Sequence, residues 1–330
     1  MENLSEKKVA LVGSGLIGSG WAIQFLYHGV KHITMYDVAE QSLERAKERI
    51  EEGLQWLQDN GVLTAEQHAA CAAIPTYTTD LHKAVADADF ILENVPENLE
   101  IKQKTLANIE AECRADAVIS SSTSAIMIRE IAQNAVHPER VIGAHPYLPV
   151  YLLPLVEIVT DEKVEKKYLD ELVDFLRSVG KKPVVLKKDS PGYIGTRLMT
   201  VICREAVSML VDGVCNVDDL DTAFTFGPGL RYALMGPFMV YQLTGGDYGI
   251  RGLFSGRMNG GSGASSGTKK TVMETLCNWT EYPPEAGYYM VTGLPEEVDA
   301  IMKERGWTNR ELMEFRDKGL LELLKYHKLV

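Results

Sequence analysis

Lys8 to Ala22, KVALVGSGLIGSGWA, decides the fold. A short apolar strand runs directly into Gly13-Ser14-Gly15-Leu16-Ile17-Gly18 and then into a helical segment. In this G-x-G-x-x-G context the first glycine permits a tight turn, and the second lets backbone approach a pyrophosphate. The third lets the helix pack closely on the strand, with the phosphate at the helix N-terminus. Glycines of this kind also serve ordinary turns, so the motif alone is weak. The next strand, HITMYD, settles the reading, because it ends in Tyr36-Asp37, where an acid should bind a ribose 2'-hydroxyl. Asp37 would repel a 2'-phosphate, and Val38-Ala39-Glu40 brings no cation to offset it, so the expected cofactor is NAD, not NADP.

Outward from this motif, strand-like and helix-like periods alternate. Strands are expected at FILENVP, AVISSST, RVIGAHP, PLVEIV and KPVVLKK. Helices are expected over Leu16 to His28, Gln41 to Asn60, Glu100 to Cys113 and Lys163 to Val179. Such alternation predicts an α/β domain, a Rossmann-type, doubly wound and mostly parallel sheet with helices on both faces. After Ser190-Pro191-Gly192 the strands stop. Thr196 to Asp212, Val217 to Phe226 and much of Leu294 to Leu329 read as helix. The expected organisation is an NAD-binding domain over 1–189 and an all-α domain for substrate and dimerisation over 190–330. Within the second, residues 255–270 (SGRMNGGSGASSGTKK) have the composition of a flexible linker, natural or engineered.

Bulk composition narrows the function classes. A chain of 330 residues, 45% hydrophobic, can bury a large core. Its net charge of -12 argues against nucleic-acid binding and means that an anionic substrate needs a local cation. The start, MENLSEKK, lacks a signal-peptide core and no apolar run is long enough for a bilayer, so a cytoplasmic protein is expected. Five scattered cysteines without CxxC spacing indicate neither a disulfide frame nor a metal site.

The chemistry is expected in IGAHPYLPVYLLPLVEIV, Ile142 to Val159, an apolar stretch that carries one histidine and one glutamate. Oxidising a secondary alcohol requires a base for the hydroxyl proton, and a histidine suits that task. A carboxylate on its other ring nitrogen would fix the tautomer and stabilise the imidazolium. His145 and Glu157 could be that pair, because PYLPVYLLP is long enough to fold one strand back beside the other; a satisfied core histidine is the competing reading. Ser120 to Ser124 is a hydroxyl-rich run at a strand's C-terminal end, where open α/β sheets bind ligands, although a helix N-cap would use the same residues.

The segments VALVGSGLIGSGWA, VPENLEIKQK, SSSTS, AHPYLPVYLLPLVEIV, SPGYIGTRLM and GPGLRYALMGP occur in the order of the 3-hydroxyacyl-CoA dehydrogenase family. Over roughly residues 7 to 245 the chain most resembles the branch acting on free hydroxy acids, that of L-gulonate 3-dehydrogenase (lambda-crystallin) and L-carnitine dehydrogenase. The resemblance implies NAD-dependent oxidation of a small 3-hydroxy carboxylate, with His145 as base, Glu157 as its orienting partner and Ser124 on the reacting oxygen. It implies that Gly13, Gly15, Leu16, Ile17, Gly18 and Asp37 hold NAD, that Glu97 and Lys102 lie along the cleft, and that the helical domain forms a homodimer. A short-chain 3-hydroxyacyl-CoA dehydrogenase and an NAD-binding, crystallin-like protein of little activity are the alternatives.

Two positions depart from the family pattern. Leu148 stands where His-Pro-x-Asn-Pro has asparagine, and Thr196 where Gly-Phe-x-x-Asn-Arg has one near the substrate oxygen. Losing a donor aimed at developing charge can cost about 10²–10³ in rate. For the substrate carboxylate the candidate is Arg231, in a Gly-Pro-rich turn between helices, since its planar fork can bind a carboxylate through both oxygens. Tyr147, Tyr151, Tyr232 and Trp279 are candidates to line the same region.

Overall fold

Eight strands form one sheet in the order β3-β2-β1-β4-β5-β6-β7-β8. They are β1 (Lys8–Val12), β2 (His32–Tyr36), β3 (Thr76–Thr78), β4 (Phe90–Glu93), β5 (Val118–Ser121), β6 (Val141–Pro146), β7 (Leu155–Val159) and β8 (Lys182–Val185). Every pairing is parallel except β6 with β7. The computed structural model describes residues 4–254 and 293–326, so the segment 255–270 and Trp279 lie outside the described residues.

Alternation along the strands builds two cores. Val9 and Leu11 of β1 face one way, with Ile33, Met35, Phe90 and Leu92, and are covered by helices α1 (Leu16–Tyr27) and α2 (Glu40–Asp59). Helices α3 (Ala65–Ala72) and α4 (Leu81–Val85) follow, then α5 (Leu99–Glu112), α6 (Ile128–Ile131) and α7 (Lys166–Ser178). Helix α7 packs on the first core through Leu172, Phe175 and Leu176. Ala10 and Val12 face the second core with Ile91, Ile119 and Val141, covered by Val85, Leu106, Ile109 and Ile128 from α4, α5 and α6. Burial on both faces is why these strands read as continuous apolar runs. The expected Rossmann-type sheet is borne out. The three-residue edge strand β3 and the helices α3 and α4 have no counterpart among the expected elements.

By its contacts the chain divides into Met1–Ile202 and Cys203–Val330, and the long helix α8 (Gly195–Val211) runs through that boundary. The second unit contains α9 (Val217–Phe224), α10 (Leu230–Leu234), α11 (Pro237–Thr244), α12 (Gly249–Phe254), α13 (Gly293–Glu304) and α14 (Asn309–Tyr326). Its core gathers Met235, Met239, Val240, Ile250, Leu294, Val298, Met302 and Leu312. Between α13 and α14 the chain breaks at Gly306, whose φ of +64° favours glycine. It restarts with Thr308 and Glu311 exchanging backbone-to-side-chain hydrogen bonds of 2.6 and 3.3 Å, a reciprocal N-terminal cap.

Candidate active site

Because β1, β4, β5 and β6 are parallel, the turns after them share the C-terminal edge of the sheet, where open α/β sheets place their ligands. The glycine turn follows β1. Gly13 has φ +100°, and a Cβ there would lie 2.7 Å from the Asn94 backbone. At Gly18 a Cβ would overlap the Gly13 carbonyl, so this glycine is what lets α1 start against the strand. Beside Gly15, by contrast, a Cβ would meet nothing within 4 Å; backbone there faces open space, as an approaching pyrophosphate requires. Leu16 is exposed and Ile17 half-buried at the start of α1.

Asp37 is oriented by this turn. Its Oδ2 accepts hydrogen bonds from the Ser14 amide (3.1 Å) and hydroxyl (2.8 Å), and its Oδ1 accepts one from the Ala39 amide at 3.3 Å. Arg49, on α2, donates to the Ser14 carbonyl at 3.4 Å. That guanidinium was not among the expected residues, because about two and a half turns of helix hide its proximity from a local reading. The open glycine turn and the fixed carboxylate fit NAD.

The turns after β4 and β5 are tied together by carboxylates. Glu97 Oε1 accepts from the Thr123 hydroxyl (2.7 Å) and from the amides of Ser124 (2.9 Å), Ala125 (2.8 Å) and Ile126 (3.3 Å). Burial would raise its carboxyl, but these donors together with the Lys102 ammonium hold it below the usual range. Lys102 does not project into open cleft. It is 1% exposed, and its ammonium is held by both oxygens of buried Glu93 (2.9 and 3.2 Å), by Glu97 Oε2 (3.4 Å) and by the Val95 carbonyl (3.3 Å). A buried cation needs such partners, so Lys102 reaches the cleft only through Glu97.

Of the serine run, Ser121 donates to Glu93 at 2.6 Å and Ser122 to Asn94 at 2.8 Å. Ser124 is half-buried, and its hydroxyl has no hydrogen-bond partner among the described residues. The run does not cap a helix: α6 begins at Ile128 with Met127 at its N-cap.

Strand β7 returns antiparallel beside β6, and the register sets His145 directly opposite Glu157. His145 Nδ1 lies 3.0 Å from Glu157 Oε2. A carboxylate only accepts, so Nδ1 carries the proton of the neutral ring, whose lone pair is then on Nε2. Glu157 is 1% exposed and takes four donors. Oε2 also accepts from the Tyr147 hydroxyl at 3.1 Å, while Oε1 accepts from the amides of Ile194 (2.8 Å) and Gly195 (2.9 Å) at the start of α8. Burial pushes this carboxyl up; the hydrogen bonds from His145, Gly195, Ile194 and Tyr147 outweigh it and hold it below the ordinary range.

Thr196 follows in the first turn of α8 and lies against the Tyr147 oxygen. Tyr193, with φ +47°, packs its ring 5.5 Å from that of His145. Neither tyrosine was expected next to the dyad: Tyr147 was one of several aromatics that could line the substrate region, and Tyr193 was not singled out.

Arg231 sits on the short helix α10, not in a turn as expected, because the chain resumes helix immediately after Gly229. Together with Met235, Val240, Leu243, Thr244 and Arg316 it lines a cavity of about 260 Å³ within the second unit. Arg316 is engaged by Asp317 at 2.7 Å, whereas Arg231 has no hydrogen bond or ion pair among the described residues.

The 3-hydroxyacyl-CoA dehydrogenase NAD-binding domain matches residues 8–190, and the C-terminal domain of the same family matches 192–293. The chain therefore belongs to the 3-hydroxyacyl-CoA dehydrogenase family and is an NAD-dependent oxidoreductase acting on a CH–OH group. Among its relatives are L-carnitine dehydrogenase of Bacillus cereus, 36% identical over 97% of this chain and 92% of that protein, and L-carnitine dehydrogenase of a Pseudomonas species, 37% identical over 97% and 93%. A solved structure, the 3-hydroxyacyl-CoA dehydrogenase of Archaeoglobus fulgidus, superposes with a TM-score of 0.71 at 26% identity, covering 98% of this chain and all of that one (100%).

Proposed function

We propose that this protein oxidises a free, small 3-hydroxy carboxylate to the 3-oxo acid, with the His145–Glu157 dyad taking the hydroxyl proton. The observation that carries the reading is the 3.0 Å contact between His145 Nδ1 and a buried carboxylate, which leaves Nε2 as an unprotonated base. NAD, when bound, supplies the hydride acceptor. Glu157 holds the imidazole in its tautomer and offsets the positive charge that the ring gains with the proton. Ser124, with an uncommitted hydroxyl, would donate to the reacting oxygen, and Thr196 would offer a second donor. Gly13, Gly15, Leu16, Ile17, Gly18 and Asp37 would hold NAD, with Glu97 and Lys102 shaping the wall beside it. Arg231 would bind the substrate carboxylate: an uncommitted guanidinium in a cavity wall suits an anion in a chain of net charge -12.

The free-acid reading draws support from the L-carnitine dehydrogenases, whose substrate is a free 3-hydroxy acid. The reading also places the protein in the cytoplasm as a homodimer. Helix α8 supports self-association: none of its residues is buried, and Leu198, Met199, Val201, Ile202 and Val207 are each more than 40% exposed. No helix among the described residues is long and apolar enough to cross a membrane.

The test is a panel: L-carnitine, L-gulonate, 3-hydroxybutyrate and 3-hydroxybutyryl-CoA, each with NAD, followed by NADH absorbance. Turnover of a free acid with no turnover of the thioester is the expected result. Turnover of the thioester alone would replace the free-acid reading with an acyl-CoA one, and turnover of none would favour a redox-silent NAD-binding protein.

A further inference from the structure

Tyr147 is the residue immediately after β6, and its phenol reaches back to the dyad. The hydroxyl donates at 3.1 Å to Glu157 Oε2, the same oxygen that accepts His145 Nδ1. Burial pushes the Tyr147 phenol up, while hydrogen bonding from the Thr196 hydroxyl and amide draws it down. The ring sits 4.9 Å from that of His145, and it fits because position 195 is glycine: a Cβ there would overlap the Tyr147 hydroxyl. One carboxylate oxygen is thus shared by two donors, one of them linked to the position where the family carries asparagine.

We propose that Tyr147 is a positioning residue for the reaction, whose hydroxyl couples Thr196 to Glu157 and limits how strongly Glu157 polarises His145. The proposal rests on the dyad reading above. Each donor to Oε2 draws on the same negative charge, so the phenol takes part of what the imidazole would otherwise feel. Burial pushes the Tyr147 phenol up, so it stays a protonated donor through neutral pH. The titratable groups around it are His145 on β6, Glu157 on β7 and Tyr193 before α8, with Asp189 and Glu97 beyond Tyr193. No lysine or arginine pairs with Glu157 among the described residues, which leaves hydrogen-bond donors to set its charge distribution.

The experiment compares Tyr147→Phe, Thr196→Val and the double variant with the parent, using the panel acid that turns over fastest. Tyr147→Phe should move the acid limb of the kcat/KM–pH profile up by about half to one unit, since a neutral donor near an ionised group is worth shifts of that order. Thr196→Val should move the limb in the same direction in the parent and not at all in the Tyr147→Phe background, because the coupling runs through the phenol. A readout without substrate is the ¹³C carboxyl titration of Glu157, assigned by its absence in Glu157→Gln; the midpoint should rise in Tyr147→Phe. Loss of thermal stability or NAD affinity with an unmoved limb and midpoint would make Tyr147 merely structural and overturn the proposal. His145→Gln separates the two readings. If it still turns over, the dyad and the Tyr147 proposal fall together; if it is inactive while Tyr147→Phe leaves the profile unchanged, only the Tyr147 proposal falls.

Discussion

Replacing Glu157 by glutamine is the most informative perturbation of this site, because the outcome follows from the four donors around one carboxylate. Ile194 N and Gly195 N point at Oε1 from 2.8 and 2.9 Å and are fixed by the first turn of α8. The glutamine carbonyl must face them, since an NH₂ there would oppose two backbone donors that cannot turn away. The amide NH₂ then faces His145 Nδ1 and the Tyr147 hydroxyl. His145 has to accept at Nδ1 and carry its proton on Nε2, the nitrogen that should be empty. A carboxylate-to-amide change that enforces the wrong tautomer costs about 10⁴ in kcat, which corresponds to roughly 5.5 kcal/mol of activation free energy. The assay is NADH formation by Glu157→Gln with saturating NAD and the fastest panel acid, alongside NAD affinity, which should not change. A variant that keeps a tenth or more of parental kcat would refute the tautomer reasoning. The same substitution carries a stability signature. The folded Glu157 carboxyl lies below its ordinary value of 4.5, so it contributes stability that is present above that pH and lost as pH falls through the folded value. Glu157→Gln should therefore show a flatter loss of Tm below about pH 4.5 than the parent.

Further outcomes follow from other parts of the structure. With Asp37 oriented by Ser14, NAD should bind at least about tenfold tighter than NADP, a gap of about 1.4 kcal/mol, by calorimetry; equal dissociation constants would contradict the ribose contact, and Arg49→Met would show whether that guanidinium narrows the gap. Gly18→Ala should weaken NAD binding severely and lower Tm, because the new Cβ would strike the Gly13 carbonyl, whereas Gly15→Ala should leave the unfolding free energy within about 1 kcal/mol of the parental value and impair only the cofactor. Arg231→Met should raise KM for a free acid roughly ten- to a hundredfold, the loss of one charge-assisted pair, with NAD affinity unchanged. An equal effect on the neutral amide of the same acid would make this arginine structural.

Local signals carried most of the first unit. The glycine turn, Asp37 and the continuous apolar strands are written in adjacent residues, since backbone sterics and burial on both sheet faces act at short range. The second half of the sheet was legible for the same reason, down to RVIGAHP and PLVEIV as neighbouring strands. β3 was not, because three residues at a sheet edge, TYT, carry too little periodicity to separate from a loop. Arg231 was placed in a turn because Gly227, Pro228 and Gly229 argue for one; the helix nevertheless resumes at Leu230, which is buried.

Residue types and spacing alone determined that the chain binds a dinucleotide, prefers NAD and carries a histidine and a glutamate where a base could act. Only the tertiary structure decided what those groups touch. The antiparallel turn of β7 against β6 sets His145 opposite Glu157, and the start of α8 brings two amides to the far oxygen of that glutamate. Packing buries Lys102 against Glu93, ties Glu97 to the serine turn and lays Tyr147 over Gly195. These contacts join residues from 9 positions apart, Glu93 and Lys102, to 48 apart, Tyr147 and Gly195. Hydrogen bonds decay within an ångström or so of their optimum, so they are specified by how whole elements pack, which no local pattern records.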